Sequence, residues 1–152
     1  MTVRAATVSD AAAIAALEAA VFPDAWSEQT IADTLRSERT HAFVALDGAS
    51  VTGFVLAQSI PPEAELLRIA THPSYRRRGV GQALVGALLT ELRGVGVPTV
   101  FLEVRSHNAP ARALYEQNGF VPIGLRRAYY HHPTDDAVLM CHTDEDGAPQ
   151  HI

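Results

Sequence analysis

The chain has 152 residues, 47% apolar and 19% charged, which suits one compact domain with a real core and excludes a stapled mini-protein or a wholly disordered chain. Its 12 Lys and Arg against 17 Asp and Glu leave a formal charge of −5, so composition gives no sign of a basic nucleic-acid binder. The single cysteine, Cys141, forms no internal disulfide and fits a reducing cytoplasm, and no stretch has the apolar length of an export signal or a membrane span.

Thr2–Ala6 alternates as a short strand, after which Ser9 is expected to cap a helix carrying Ile14, Leu17 and Val21 on one face. The run from Phe22 to Trp26 breaks that helix, and Ser27 caps a second one with Ile31 and Leu35 one turn apart. His41–Leu46 and Val51–Ile60 read as a hairpin turned at Asp47-Gly48, punctuated by Pro61-Pro62. Glu65–Thr71 is a further strand stopped by His72-Pro73. A polar, basic, glycine-containing loop then leads into a helix marked by Val80, Leu84, Leu88 and Leu92 and ended by Gly94 and Gly96. Pro98–Val104 is a strand with Val100, Leu102 and Val104 on one face, and Asn108 caps a helix that stops at Asn118-Gly119. Phe120–Leu125 and Ala137–His142 are the last expected strands, joined by the aromatic and histidine-rich Tyr129–Pro133. The sequence thus predicts an α/β (or α+β) domain over residues 1–142, with a mixed, mostly antiparallel sheet, and a frayed tail over Thr143–Ile152.

Arg76-Arg77-Arg78-Gly79-Val80-Gly81 lies between a strand and a helix, where glycines admit backbone N–H groups to an anion and the helix N-terminus adds positive potential. Taken alone, the loop reads equally as a solvated arginine face. Neither G-x-x-x-x-G-K-[ST] nor G-x-G-x-x-G occurs, which argues against nucleoside-triphosphatase and dinucleotide-binding readings.

The R-x-x-G-x-G pattern is joined, in order, by Glu65–Pro73, Leu102–Asn108, Ala113-Leu114-Tyr115, Gly119-Phe120, Arg127–Tyr130 and Asp135–Met140. This succession resembles the GNAT acetyltransferases, and within them the RimI-like branch that acetylates the N-terminal amine of a small-subunit ribosomal protein. The resemblance implies a central sheet splayed into a V that receives acetyl-CoA, with no metal. It implies that the backbone of Ile69, Ala70 and Thr71 pairs with the pantetheine arm like an added strand. Arg76, Arg77, Arg78, Gly79, Val80, Gly81 and Gln82 would hold the pyrophosphate, and Asn108 would contact the cofactor besides capping its helix. The chain departs from the pattern at Arg68, where Asn is common, at Thr71 and His72, and in the two residues between Pro23 and Trp26.

By the same resemblance Glu103 is the general base and Tyr115 the general acid. An α-amine with pKa about 7.7–8.0 is mostly protonated at pH 7, so a proton must be removed before attack on a thioester. A glutamate of ordinary pKa, about 4.3, needs burial or a water relay to serve. Tyr115 would protonate the departing sulfur or hydrogen-bond to it. Direct attack needs no enzyme adduct, which leaves Cys141 a packed residue. Substrate selection is expected from Trp26 in the Phe22–Ser27 joint and from Tyr129 and Tyr130. Asp33, Asp135 and Asp136 are read as solvated carboxylates that add acidic surroundings for a basic N-terminal peptide. His131 and His132 are adjacent, with no further ligand at metal-binding spacing. Two other readings stay open: a small-amine or lysine acetyltransferase, and a non-catalytic acyl-CoA-binding module. Nothing in the sequence sets the oligomeric state.

Overall fold

The computed structural model describes residues 1–144. Its elements are β1 (Thr2–Ala5), α1 (Ala11–Val21), α2 (Glu28–Arg36), β2 (Thr40–Asp47), β3 (Ser50–Ile60), β4 (Glu63–Thr71), α3 (Val80–Gly94), β5 (Thr99–Arg105), α4 (Ala109–Gln117), β6 (Val121–Tyr130) and β7 (Asp135–Thr143). The strands form one sheet in the order β1-β2-β3-β4-β5-β7-β6. All neighbours are antiparallel except β4 and β5, so the expected mixed, mostly antiparallel sheet is what the chain forms.

Local signals explain most of the elements. Ser27 Oγ accepts the Thr30 N–H at 3.1 Å and Asn108 Oδ1 accepts that of Ala111 at 3.2 Å, each satisfying a helix donor that would otherwise lack a partner. The start of α1 differs from the expectation at Ser9. Here the Asp10 carboxylate, held by Arg4 through two 2.9 Å hydrogen bonds, accepts the Thr7 N–H at 2.8 Å and closes a short 3₁₀ turn. Ser9 only meets the Thr7 hydroxyl, because the charged carboxylate is the stronger acceptor.

One face of the sheet carries α3, whose Val80, Leu84, Val85, Leu88 and Leu92 are buried with Leu66, Val100, Leu102, Val104, Tyr115 and Phe120. The other carries α1 and α2, whose Ile14, Leu17 and Ile31 are buried against Val44, Phe54, Leu56 and Ala70 of β2, β3 and β4. This second core takes nothing from β5, β6 or β7, so their half of that face is left without a helical cover.

Gly53 decides how closely α3 approaches the sheet. A Cβ there would lie 2.7 Å from Val80 Cγ1, 3.0 Å from the Ala70 carbonyl oxygen and 3.1 Å from Leu84 Cδ1. Gly53→Ala should therefore cost about 1–3 kcal/mol in urea unfolding. Since the displaced Val80 begins α3, the same variant should weaken binding of the acetyl-CoA that the sequence resemblance implies, read by calorimetry.

β6 runs longer than expected, with register shifts between Pro122 and Gly124 and between Arg126 and Tyr130. Tyr129 and Tyr130 consequently end a strand and do not lie in a loop. The second irregularity is secured by Asp136 Oδ1, which accepts the Ala128 N–H at 2.8 Å while Ala128 takes a φ of 50°. β7 reaches Thr143, and Asp144 is buried and ion-paired with Arg93; residues 145–152 of the expected tail lie outside the described residues.

Candidate active site

The site begins where the parallel β4–β5 ladder stops. Only Glu63, Ala64 and Glu65 pair with Thr99, Val100 and Phe101; beyond them the two strands separate. On its other edge β4 remains bonded to β3 as far as Thr71 opposite Gly53. Ile69, Ala70 and Thr71 thus keep one strand edge unpaired and facing the gap, the geometry needed to take up an extended ligand by main-chain hydrogen bonds.

A β-bulge sharpens this opening. β3 pairs Ala57 with Leu66 but Leu56 with Arg68, so Leu67 is an extra residue. Parity along β4 is reversed across it: Leu66 joins the α3 core, whereas Arg68 turns toward α1.

At the far end of β4, Arg77 has φ 65° and Gly79 φ 78°, with the three arginines exposed. Alternation of this kind turns successive N–H groups into one concavity. α3 has no side-chain cap, so its first N–H groups and the positive end of its dipole face the same place. A Cβ on Gly79 would meet nothing within 4 Å, whereas one on Gly81 would lie 3.0 Å from Leu114 Cδ2. Gly79 therefore supplies backbone conformation, and Gly81 the close approach of α3 to α4. Gln82 and Asn118 exchange two amide hydrogen bonds of 3.0 Å, fastening the same two helices. The residues present fit a phosphate-bearing, extended acyl donor.

Glu103 lies on the β5 face opposite the α3 core, one quarter exposed, with Oε1 3.6 Å from Arg126 Nη2. That distance is an ion-pair contact and too long for a hydrogen bond. Tyr115 belongs to the α3-side core, its ring 5.7 Å from that of Phe120. Burial, with a smaller contribution from Tyr130, raises the Tyr115 pKa far above the ordinary phenol value. The raised pKa keeps this hydroxyl a neutral hydrogen-bond donor. Tyr130 links the two: its pKa is raised by burial first and by the Glu103 charge second, and its own charge in turn raises Tyr115.

Two arginines hold this group in place, and the one that meets Glu103 is Arg126 and not its strand neighbour Arg105. The Arg105 guanidinium lies 4.4 Å from the Tyr130 ring centroid and donates to the Pro133 carbonyl oxygen at 2.9 Å. Arg126 lies 5.3 Å from the Tyr129 ring. Asp135, expected as a solvated carboxylate, is buried and accepts from the His107 N–H, His107 Nδ1 and the Asp136 N–H, because the start of β7 packs against the β5–α4 connection and satisfies its donors. Asp33 is exposed, as expected, and Cys141 is only partly buried. Trp26 stands apart from the tyrosines; its contacts run to Arg68 and Glu18.

Residues 11–120 match the model of the Acetyltransferase (GNAT) family. The chain belongs to the GNAT acetyltransferases. It is 42% identical over 123 residues to the [ribosomal protein bS18]-alanine N-acetyltransferase of Escherichia coli K12, covering 78% of this chain and 80% of that enzyme. It is 38% identical over 146 residues to the N-alpha-acetyltransferase RimI of Mycobacterium tuberculosis, covering 92% and 90%. The crystal structure of the ribosomal-protein-S18-alanine N-acetyltransferase from Escherichia coli superposes with a TM-score of 0.88 at 34% identity over 99% of this chain and 97% of that one.

Proposed function

We propose that this GNAT protein is an N-terminal α-amine acetyltransferase acting in the cytoplasm, moving acetyl from acetyl-CoA to a protein N-terminus, with a small-subunit ribosomal protein as its substrate. The observation that carries the reading is Glu103 standing on β5 just beyond the point where the β4–β5 ladder stops, on the face opposite the α3 core. The relatives named for bS18 and N-alpha acetylation support the choice of acceptor.

In this reading Ile69, Ala70 and Thr71 receive the pantetheine arm along the free edge of β4. The concavity from Arg76 to Gln82 takes the pyrophosphate, and Asn108 adds a cofactor contact while capping α4. The acceptor ammonium approaches Glu103 and is drawn to its carboxylate in place of Arg126. Glu103, directly or through water, accepts the amine proton. The neutral amine nitrogen then bonds to the acetyl carbonyl carbon and gives its second proton to water as the carbon–sulfur bond breaks, and the departing thiolate, held by a hydrogen bond from the Tyr115 hydroxyl, takes up a proton from solvent. Trp26 on one side and Tyr129 with Tyr130 on the other would meet the acceptor chain. No metal takes part. Lysine, with pKa about 10.4, offers over a hundredfold less neutral amine at pH 7 than an α-amine does, which favours the α-amine for a base of modest strength.

Mass spectrometry tests the reading on two peptides incubated with acetyl-CoA, one with a free Ala-Arg N-terminus and an internal Lys, the other with that N-terminus blocked. Acetyl on the α-amine alone is the expected result. Acetyl on lysine, or on neither peptide while acetyl-CoA still binds, would reject it.

A further inference from the structure

Glu18 is a fully buried carboxylate in the last turn of α1 and needs a charge partner. The partner comes from 50 residues away: Arg68 Nε donates to Glu18 Oε2 at 3.0 Å and Arg68 Nη2 to Glu18 Oε1 at 2.6 Å. The fork is two-pronged, which fixes the guanidinium plane. That plane in turn meets the α1–α2 joint at alternate residues. It lies 4.2 Å from the Phe22 ring centroid and 5.0 Å from that of Trp26, and Nη2 is 3.5 Å from the Asp24 carbonyl oxygen. Glu18 Oε1 also accepts the Trp26 N–H at 2.8 Å. One buried ion pair therefore sets both the backbone and the aromatic rings of a segment that has no regular secondary structure.

The position of this clamp gives it a consequence for binding. The bulge at Leu67 turns Arg68 to the face of β4 away from α3, the face on which β5 presents Glu103 across the gap. The Phe22–Trp26 joint is thus one bank of the opening, and Tyr129 and Tyr130 belong to the other. We propose that Arg68, through Glu18, is a positioning residue for peptide acceptors: it holds the joint in the conformation that receives the residues after the acetylated one. Its effect falls on recognition of the acceptor chain and not on acyl transfer, since Arg68 touches neither Glu103 nor Tyr115. The inference rests on the proposed reading that the acceptor is a peptide amine.

The double variant E18Q/R68M removes both charges together, so no buried charge is left alone, and Gln keeps an oxygen for the Trp26 N–H. R68K alone keeps the charge and loses the fork and the planar stack. Steady-state kinetics on the full chain would compare an Ala-Arg peptide with alaninamide, an acceptor that ends before it can reach the joint. Both variants should raise KM for the peptide about tenfold, a loss in the range of one or two cation–π contacts, with kcat and KM for alaninamide within about twofold of the parent. Trp26 is the only tryptophan. Its emission should shift to the red and its anisotropy should fall in E18Q/R68M, without reference to activity. Peptide KM unchanged in both variants, or KM raised equally for peptide and alaninamide, overturns the proposal while leaving the acetyltransferase reading in place. A parent protein that acetylates alaninamide but not the peptide overturns the reading itself, and the proposal with it.

Discussion

Glu103→Gln should lower kcat for an α-amine acceptor by about a hundredfold to ten-thousandfold at pH 7, the usual contribution of a positioned general base. That is roughly 3–5 kcal/mol of barrier. The amide keeps the size of the carboxylate and cannot accept the proton. The substitution leaves the rest of the site intact, because the Glu103 carboxylate makes no hydrogen bond to a described residue and its one ion-pair contact, to Arg126, is long and half exposed on the arginine side. Acetyl-CoA affinity should therefore be unchanged within about twofold, as expected for a group acting on the other substrate. The pH dependence gives the sharper test. Without a base, the rate follows the fraction of amine already neutral, so E103Q activity should climb steadily up to the acceptor's own pKa of about 7.7–8.0, and the gap to the parent protein should narrow as it does so. A kcat within about threefold of the parent at pH 7 would remove Glu103 as the base and move that role to a bound water or to the bulk solvent.

How much of this site is visible in the sequence depends on the distance over which each interaction is formed. The caps at Ser27 and Asn108 and the Val80–Leu92 stripe are settled within a few residues and stand where the sequence predicts them, while the hairpin turn falls one residue later than predicted, at Gly48-Ala49, with Asp47 paired to Ser50. Ser9 failed because its rival, Asp10, is recruited by Arg4 from the preceding strand. The Arg68–Glu18 clamp, Gly53 beneath Val80 and Arg105 holding the turn before β7 all join residues 26 to 50 positions apart, and no local pattern carries them. One signal was present. Glu18 falls on the same helical face as Ile14, Leu17 and Val21, and a carboxylate on an apolar stripe calls for a distant cation. The bulge in β4 had no counterpart in composition. It is visible only in the register with β3, and it alone explains why Leu66 and Arg68, two residues apart on a strand, point to opposite faces.

Gly79→Asp should abolish measurable acetyl-CoA binding while the fold survives. Gly79 has φ 78° and ψ 13°, the left-handed region, and a Cβ there would meet nothing within 4 Å. Aspartate is among the few residues that enter this region at modest cost, and at the N-cap of α3 its carboxylate interacts favourably with the helix dipole. Stability and binding are thus driven in opposite directions by one charge: the negative group that suits the helix occupies the concavity that a pyrophosphate needs. At about 5 Å and an effective dielectric near 20, each pair of like charges costs roughly 3 kcal/mol, enough for a loss of affinity of more than about a hundredfold. Gly79→Asn separates charge from shape, because it has the same bulk and the same tolerance of positive φ without the charge. Calorimetry should find acetyl-CoA binding to G79N within about tenfold of the parent and none to G79D, with both melting within a few degrees of it. Equal losses in the two variants would mean that the loop acts through a backbone shape only glycine can adopt, and unchanged affinity in G79D would place the phosphate elsewhere.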